Sequence, residues 1–363
     1  MPLVAHNALP SFERLRGEGN RILSPERARL QDIRALHIGF LNMMPDSALA
    51  ATERQFFRLV GSSNPISQFY IHPFTLDQIP RGEEAQRHID QYYEPLSSVM
   101  ENGLDALIIT GANVTRPNIA EEIFWEPLCE VIDWADKHVA STLCSCLTTH
   151  AVLQARHNIR RKGLKKKRWG VYQHDVVQKN HPLVQDINTR VIVPHSRFNE
   201  VTEEQFTDAG LHVLISGEEP GVQLAVSADG FKTVFFQGHP EYDSISLMKE
   251  YKREVGEFIN GSIIDYPPIP QHYFDKHSKA LFDEYKDRVR HSLEKSQVAP
   301  AFPEYLVAQR LPNTWHDSAE ALIGNWIGLV YQITHRDRTR QFMEGVDQDD
   351  PLGWLAGDVS RLT

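Results

Sequence analysis

Three short and nearly unbroken apolar runs, ALHIGFLN (35–42), LDALIIT (104–110) and VASTLCS (139–145), recur through the first half of the chain. A strand with one face in water alternates apolar and polar residues. Runs that stay apolar at consecutive positions therefore suit strands covered on both faces, as in a parallel sheet between helix layers. QFYIHPFT (68–75) reads as a further strand. Between these runs lie segments with helical spacing. ATERQFFRLVG (51–61) is capped by Ser47 or Thr52 and stopped by Gly61, and IFWEPLCEVIDWADKH (123–138) carries acidic residues early. LTTHAVLQARH (147–157) follows VASTLCS directly as another helix. Strand and helix alternating at this spacing predict an α/β fold, a mostly parallel sheet flanked by helices with right-handed crossovers.

The second half continues with RVIVPHS, HVLISGE, VQLAVSA and TVFFQGHPEYD, shorter strand candidates that extend the same sheet. Beyond about residue 262 the pattern changes to the Pro-rich IDYPPIPQHYF, the charged helix KALFDEYKDRVRHSLEKSQ and an amphipathic helix around NWIGLVYQIT, a C-terminal helical elaboration that suits either a core or an interface. The expected organisation is an N-terminal arm (1–34), one α/β domain (35–335) with a helical insertion at about 262–312, and a C-terminal tail (336–363), both ends loosely held.

Composition narrows the function classes. A formal charge of -10 argues against a general nucleic-acid binder. The N-terminus has charges and prolines where a signal peptide needs an apolar core. No apolar run approaches the roughly 18 residues of a membrane span, so a soluble cytoplasmic protein is expected. Three cysteines are too few for a disulfide framework and read as thiols of a reducing compartment.

Of these, Cys146 falls at the junction of VASTLCS and the helix that follows. Such an elbow holds a side chain above the sheet edge, and the helix N-terminus favours a thiolate and offers N–H groups to an oxyanion. Taken alone, a buried core cysteine explains the residue equally well. TVFFQGHPEYD sharpens the first reading, because it presents His239 and Glu241 at the carboxyl end of an apolar strand, where open α/β sheets keep their sites. His239 can deprotonate the thiol and then an acceptor hydroxyl, with Glu241 fixing its tautomer. Cys129 and Cys144 read as buried structure. A metal centre at Cys144, Cys146 and His150 is disfavoured because alternate strand residues point to opposite faces, and no metal is expected.

The stretches LNMMPDSALAATERQFFRL, DALIITGANV, ASTLCSCLTTHAVL, GVYQHDV, VPHSRF, GHPEYD and GNWIGLVYQIT, in this order, resemble the homoserine O-acyltransferase family of methionine biosynthesis, over about residues 35–335. The resemblance implies a fold like class I glutamine amidotransferases and a Cys-His-Glu triad of Cys146, His239 and Glu241. It implies substrate-binding residues at Lys167, Ser196 and Arg253. Arg253 would offer a two-pronged donor to the carboxylate of an amino-acid acceptor. Lys167 lies in the basic run RRKGLKKKR (160–168), most of whose charges read as a solvated loop.

The resemblance further implies a ping-pong transfer from an acyl-coenzyme A co-substrate to homoserine, with no bound cofactor and a homodimer as the assembly. Backbone N–H groups of Leu147 and the Gly111 turn would meet the oxyanion. Thr115 falls at the acyl-selecting position, where succinyl-specific members carry Gly and acetyl-specific members Glu. An uncharged Thr does not repel a succinyl carboxylate, so succinyl is the expected donor, ahead of acetyl transfer or acylation of serine. Two departures stand out. Asp46 and Ser47 replace lysines of the first loop, and the elbow continues Leu147-Thr148-Thr149-His150 where relatives place Trp after the cysteine and Gln at the position of His150. An amidotransferase-like hydrolase and a catalytically silent metabolite-binding relative are the lesser readings.

Overall fold

The computed structural model describes residues 3–64 and 66–357. Among them, eleven strands form one sheet. They are β1 (Leu3–Val4), β2 (Ile22–Leu23), β3 (Ala35–Leu41), β4 (Gln68–Phe74), β5 (Ala106–Ile109), β6 (Ser141–Ser145), β7 (Lys162–Val176), β8 (Arg190–Glu200), β9 (His212–Gly217), β10 (Gly221–Val226) and β11 (Thr233–Phe236). Their spatial order is β2-β1-β4-β3-β5-β6-β11-β10-β9-β7-β8. From β2 across to β11 all neighbours are parallel, and from β11 across to β8 all are antiparallel. The sheet is mainly parallel and flanked by helices, the α/β class read from the apolar runs.

Why the runs are unbroken is visible in β5. Ala106 and Ile108 pack into the core on one face, while Leu107 and Ile109 pack into the core on the other. The first core joins the helices Asp46–Ser62 and His316–Ile333 to the sheet through Phe56, Phe57, Leu322 and Trp326. Trp326 is buried with its indole N–H donating to Ser141 Oγ at 2.9 Å, so the amphipathic helix serves the core. The second core seats the helices Trp125–His138 and Leu147–His157 through Leu128, Val131, Ala151 and Val152. A third cluster is separate. Phe282, Tyr285 and Val289 of the helix Lys276–Glu294 pack on Tyr251 and Val255 of the helix Ser246–Ile259 and on Trp169 and Val171 of β7.

Several expectations are corrected. The arm is not loosely held: Leu3, Leu9, Phe12 and Leu15 are buried in the first core, and β1 pairs with β4. Leu352 is buried likewise near the other end, and residues 358–363 of the expected tail lie outside the described residues. The helix expected over 51–61 runs from Asp46 to Ser62, with Pro45 rather than Ser47 or Thr52 at its N-cap, because proline's fixed φ suits a helix start. Gly61 lies inside it. From Lys162 the basic run forms the first part of the fifteen-residue β7 rather than a loop, with Lys162, Lys165 and Lys166 exposed and the pairing with β8 interrupted between Gly163 and Arg168.

Candidate active site

β6 delivers Cys146 into a backbone conformation with φ 52° and ψ -106°, at the N-cap of the helix Leu147–His157. A non-glycine residue there is strained by about 1–3 kcal/mol, and the surroundings must hold it. They do so through the Cys146 N–H, which donates to Phe236 O at 2.8 Å, and through buried Thr149, whose hydroxyl reaches Cys144 O (3.0 Å) and Phe236 O (2.9 Å). Thr149 thus belongs to the elbow's support, a role its place after the cysteine did not announce. Leu147 is the first helical residue, so its N–H has no acceptor within the helix. The Gly111 turn closes on it: a methyl group at Gly111 would stand 3.8 Å from both Cys146 Cβ and Leu147 N.

The parallel pairing of β6 with β11 carries His239 to the same end of the sheet. Gly238 is there for space, since a β-carbon would meet Gln223 Oε1 at 2.4 Å and the His195 ring at 2.8 Å. The His239 N–H donates to Pro194 O at 2.8 Å, and its Nδ1 lies 2.8 Å from Glu241 Oε1. The same ring is coupled to the Cys146 thiol. Burial by itself would lower the imidazole pKa, but the charges and hydrogen bonds of Cys146 and Glu241 outweigh it and hold the ring well above its ordinary range. Tyr242 stacks on the ring at 4.3 Å between centroids. Two arginines add positive potential at the thiol. Arg197 is buried, and that burial brings its pKa down to about 10 against the pull of Glu200 and Cys146. Arg161 is half-buried and likewise coupled to Cys146.

A cavity of about 280 Å³ opens beside His239, lined by Met44, Ser47, Gly111, Ser145, Glu241, Tyr242, Glu250 and Arg253. Arg253 is largely exposed and pairs, among the described residues, with Glu257 at 3.8 Å. Lys167 and Ser196 converge on the same wall by way of Glu250. That carboxylate accepts from Ser196 Oγ (2.6 Å), Trp169 Nε1 (2.8 Å) and Tyr242 OH (2.7 Å), with Lys167 Nζ 3.8 Å away. Lys167 also pairs with Glu254 at 2.5 Å and lies over the Trp169 ring. Sequence reasoning did not single out Glu250, although it lies only three residues before Arg253.

Thr115 stands apart from this cavity, exposed on the loop after β5. Its N–H and hydroxyl donate to the carboxylate of Glu122 (2.5 and 3.2 Å). Asp46 is consumed structurally. Its carboxylate accepts from Gly82 N (2.7 Å) and pairs with the buried Arg81, which also donates to Met44 O (2.5 Å), so a cation returns to the first loop from elsewhere in the chain. His150 is a buried neutral core residue, bonded to Gln237 and lowered by burial to about 3. Cys144 is buried in the second core, with its pKa pushed far up by burial, whereas Cys129 is only half-buried, because its helix position turns it partly to solvent.

The sequence compares with known proteins over nearly its whole length. The family model for homoserine O-succinyltransferase matches residues 2–336. The homoserine O-succinyltransferase of Allochromatium vinosum is 60% identical over 357 residues, covering 98% of this chain and all of the relative. That of Thioalkalivibrio nitratireducens is 59% identical over 354 residues, 98% of this chain and 99% of the relative. Among solved structures, a glutamine amidotransferase from Thermotoga maritima is similar over 81% of this chain and 97% of its own, at 12% identity and a TM-score of 0.43. A family match from residue 2 to residue 336, with relatives this similar end to end, assigns the chain: it belongs to the homoserine O-succinyltransferase family.

Proposed function

We propose that this protein transfers a succinyl group from succinyl-coenzyme A to the hydroxyl of L-homoserine through a thioester on Cys146. The observation that carries the reading is the placement of His239 between the Cys146 thiol and Glu241 Oε1, at the mouth of a cavity lined with polar side chains. The thiolate attacks the thioester carbonyl. The negative charge then forming on oxygen is met by the N–H groups of Leu147 and Gly111, each such donor contributing about 3 kcal/mol to the transition state. Coenzyme A leaves as its thiolate and takes the proton held on His239. In the second half, His239 accepts the homoserine hydroxyl proton as the oxygen attacks the acyl group, and Cys146 leaves as thiolate.

Arg253, with Ser196 and Lys167 joined to the same wall through Glu250, receives the amino-acid acceptor, and Thr115, on the loop after β5, is the acyl-selecting residue that the family resemblance implies. The reading includes small-molecule substrates as the partners, no bound cofactor, and a homodimer as the family resemblance implies. It includes a cytoplasmic location, with which the absence of any membrane-crossing helix among the described residues agrees. It also keeps residues 35–335 as the acyltransferase domain, 1–34 as an arm and 336–363 as a tail.

Intact-protein mass spectrometry tests it. Mixing with succinyl-coenzyme A should add one succinyl mass to the parent and none to Cys146→Ala, and homoserine should discharge the adduct. Loading by acetyl-coenzyme A alone, or discharge by serine alone, would reassign the substrates within the same chemistry. No adduct from either donor on folded protein would overturn the reading in favour of a hydrolase or a silent binding protein.

A further inference from the structure

At the β1 side of the sheet, remote in sequence from the triad, His6, His72 and Glu94 bring one ligand atom each within 4.8 Å of one another. All three are partly buried, at 17%, 14% and 28% side-chain exposure. His6 Nδ1 lies 3.2 Å from Val4 O, and a carbonyl only accepts, so this nitrogen carries the proton and Nε2 holds the lone pair. That Nε2 is buried, has no hydrogen-bond partner, and faces Glu94 Oε1 at 3.8 Å. A lone pair turned toward a carboxylate is an unfavourable pairing that is relieved either by a second proton on the ring, which makes an ion pair, or by a metal cation between them. A proton does not bridge 3.8 Å in a hydrogen bond. The distance is instead near the ~3.3 Å that separates two ligands of one tetrahedral zinc ion.

The other contacts reach the same arrangement once a metal displaces a proton, because His72 Nδ1 and Glu94 Oε1 stand at a hydrogen-bond distance that a shared ion would widen to ~3.3 Å. His72 Nδ1 is 2.7 Å from Glu94 Oε1, while its Nε2 is 2.8 Å from His37 Nδ1 on the neighbouring strand. If Nδ1 binds a metal, Nε2 carries the proton and donates it to His37. A metal-bound imidazole commonly engages its second nitrogen in this way. The backbone holds the donors in place: His72 belongs to β4, His6 follows β1, and the Glu94 N–H donates to Pro73 O at 2.8 Å.

We infer that His6 Nε2, His72 Nδ1 and Glu94 Oε1 form a binding site for a divalent transition metal of the zinc class, with the fourth position open to water. The bound ion clamps the N-terminal segment onto the sheet. The catalytic residues described above take no part in it.

The test is a cobalt(II) titration of the full chain, free of any histidine tag. It is done in a Cys146→Ala background so that the active-site thiol cannot compete. Visible ligand-field bands of a four-coordinate ion should saturate at about one equivalent and be lost in His6→Ala and in Glu94→Gln. His37→Ala should retain the bands but weaken binding by roughly 10-fold to 100-fold. Zinc should raise the melting temperature of the parent and not that of His6→Ala. With Cys146 intact, His6→Ala should retain acyl transfer, which shows that the variant folds. Absence of bands in the parent, or binding equally tight in His6→Ala and Glu94→Gln, would overturn the inference and leave a proton-bridged cluster.

Discussion

Glu241 Oε1 stands 2.8 Å from His239 Nδ1, two residues away along the chain, while the same ring is coupled to the Cys146 thiol. The carboxylate fixes which ring nitrogen faces the sulfur. Glu241→Gln should therefore lower kcat by roughly 10²-fold to 10⁴-fold with the substrate KM values little changed, as read by steady-state kinetics. Because the charges and hydrogen bonds of Cys146 and Glu241 outweigh burial and hold His239 protonated above its ordinary range, the ring keeps its proton beside the sulfur through neutral pH. Alkylation of Cys146 by iodoacetamide near pH 7 should slow roughly ten-fold or more in His239→Ala.

Gly238 has no left-handed backbone requirement and is a matter of room alone. A methyl group there would press on Gln223 Oε1 and the His195 ring, both buried, and push His239 away from Pro194 O. Gly238→Ala should cost about 1–3 kcal/mol of stability in denaturant unfolding, and also lower kcat beyond what the lost folded fraction explains.

Thr115 donates both its N–H and its hydroxyl to Glu122. On the acyl-selecting role that the family resemblance implies, Thr115→Glu places a second carboxylate against the first and repels a succinyl carboxylate. The ratio of kcat/KM for succinyl- over acetyl-coenzyme A should fall by roughly ten-fold or more, a repulsion of about 1.4 kcal/mol. Thr115→Gly should leave the ratio at or above that of the parent.

His150 is neutral in the fold, its pKa lowered by burial to about 3 from an ordinary 6.5. A depressed folded pKa gives stability that is complete above 6.5 and lost as pH falls toward 3, because the unfolded chain takes up the proton first. This residue alone should cost about 2 kcal/mol at pH 5. His150→Gln keeps a donor for Gln237 Oε1 and removes the titration. The loss of melting temperature between pH 7 and pH 5 should be smaller in the variant than in the parent.

What the sequence disclosed depended on how local each signal was. The parallel strands were legible because burial on both faces leaves unbroken apolar runs, and the elbow because a strand ran straight into a helix. Direction was not legible: β7 begins with lysines and arginines, and only its antiparallel pairing with β8 and β9 makes it a strand. The helix start at Asp46 was hidden because its first turn is secured from a distance, by Arg81 and Gly82. The grouping of Cys146 with His239 and Glu241 was visible through two motifs, each complete within a few residues. Glu250 was invisible for the opposite reason, since it gathers donors from β7, from β8 and from Tyr242, segments that the fold alone brings together.

The division of the sheet has an evolutionary consequence. Cys146 rides on the parallel half, whereas Ser196 and Lys167 ride on the antiparallel half, and Tyr242 joins them by stacking on His239 while bonding to Glu250. On the proposed thioester route, substitutions along β7, β8 and the helix Ser246–Ile259 can change which alcohol is welcomed while the elbow, its Thr149 brace and the loading step stay intact. A lineage built on this scaffold can drift in its choice of acceptor and remain, at every intermediate, an enzyme that still charges itself.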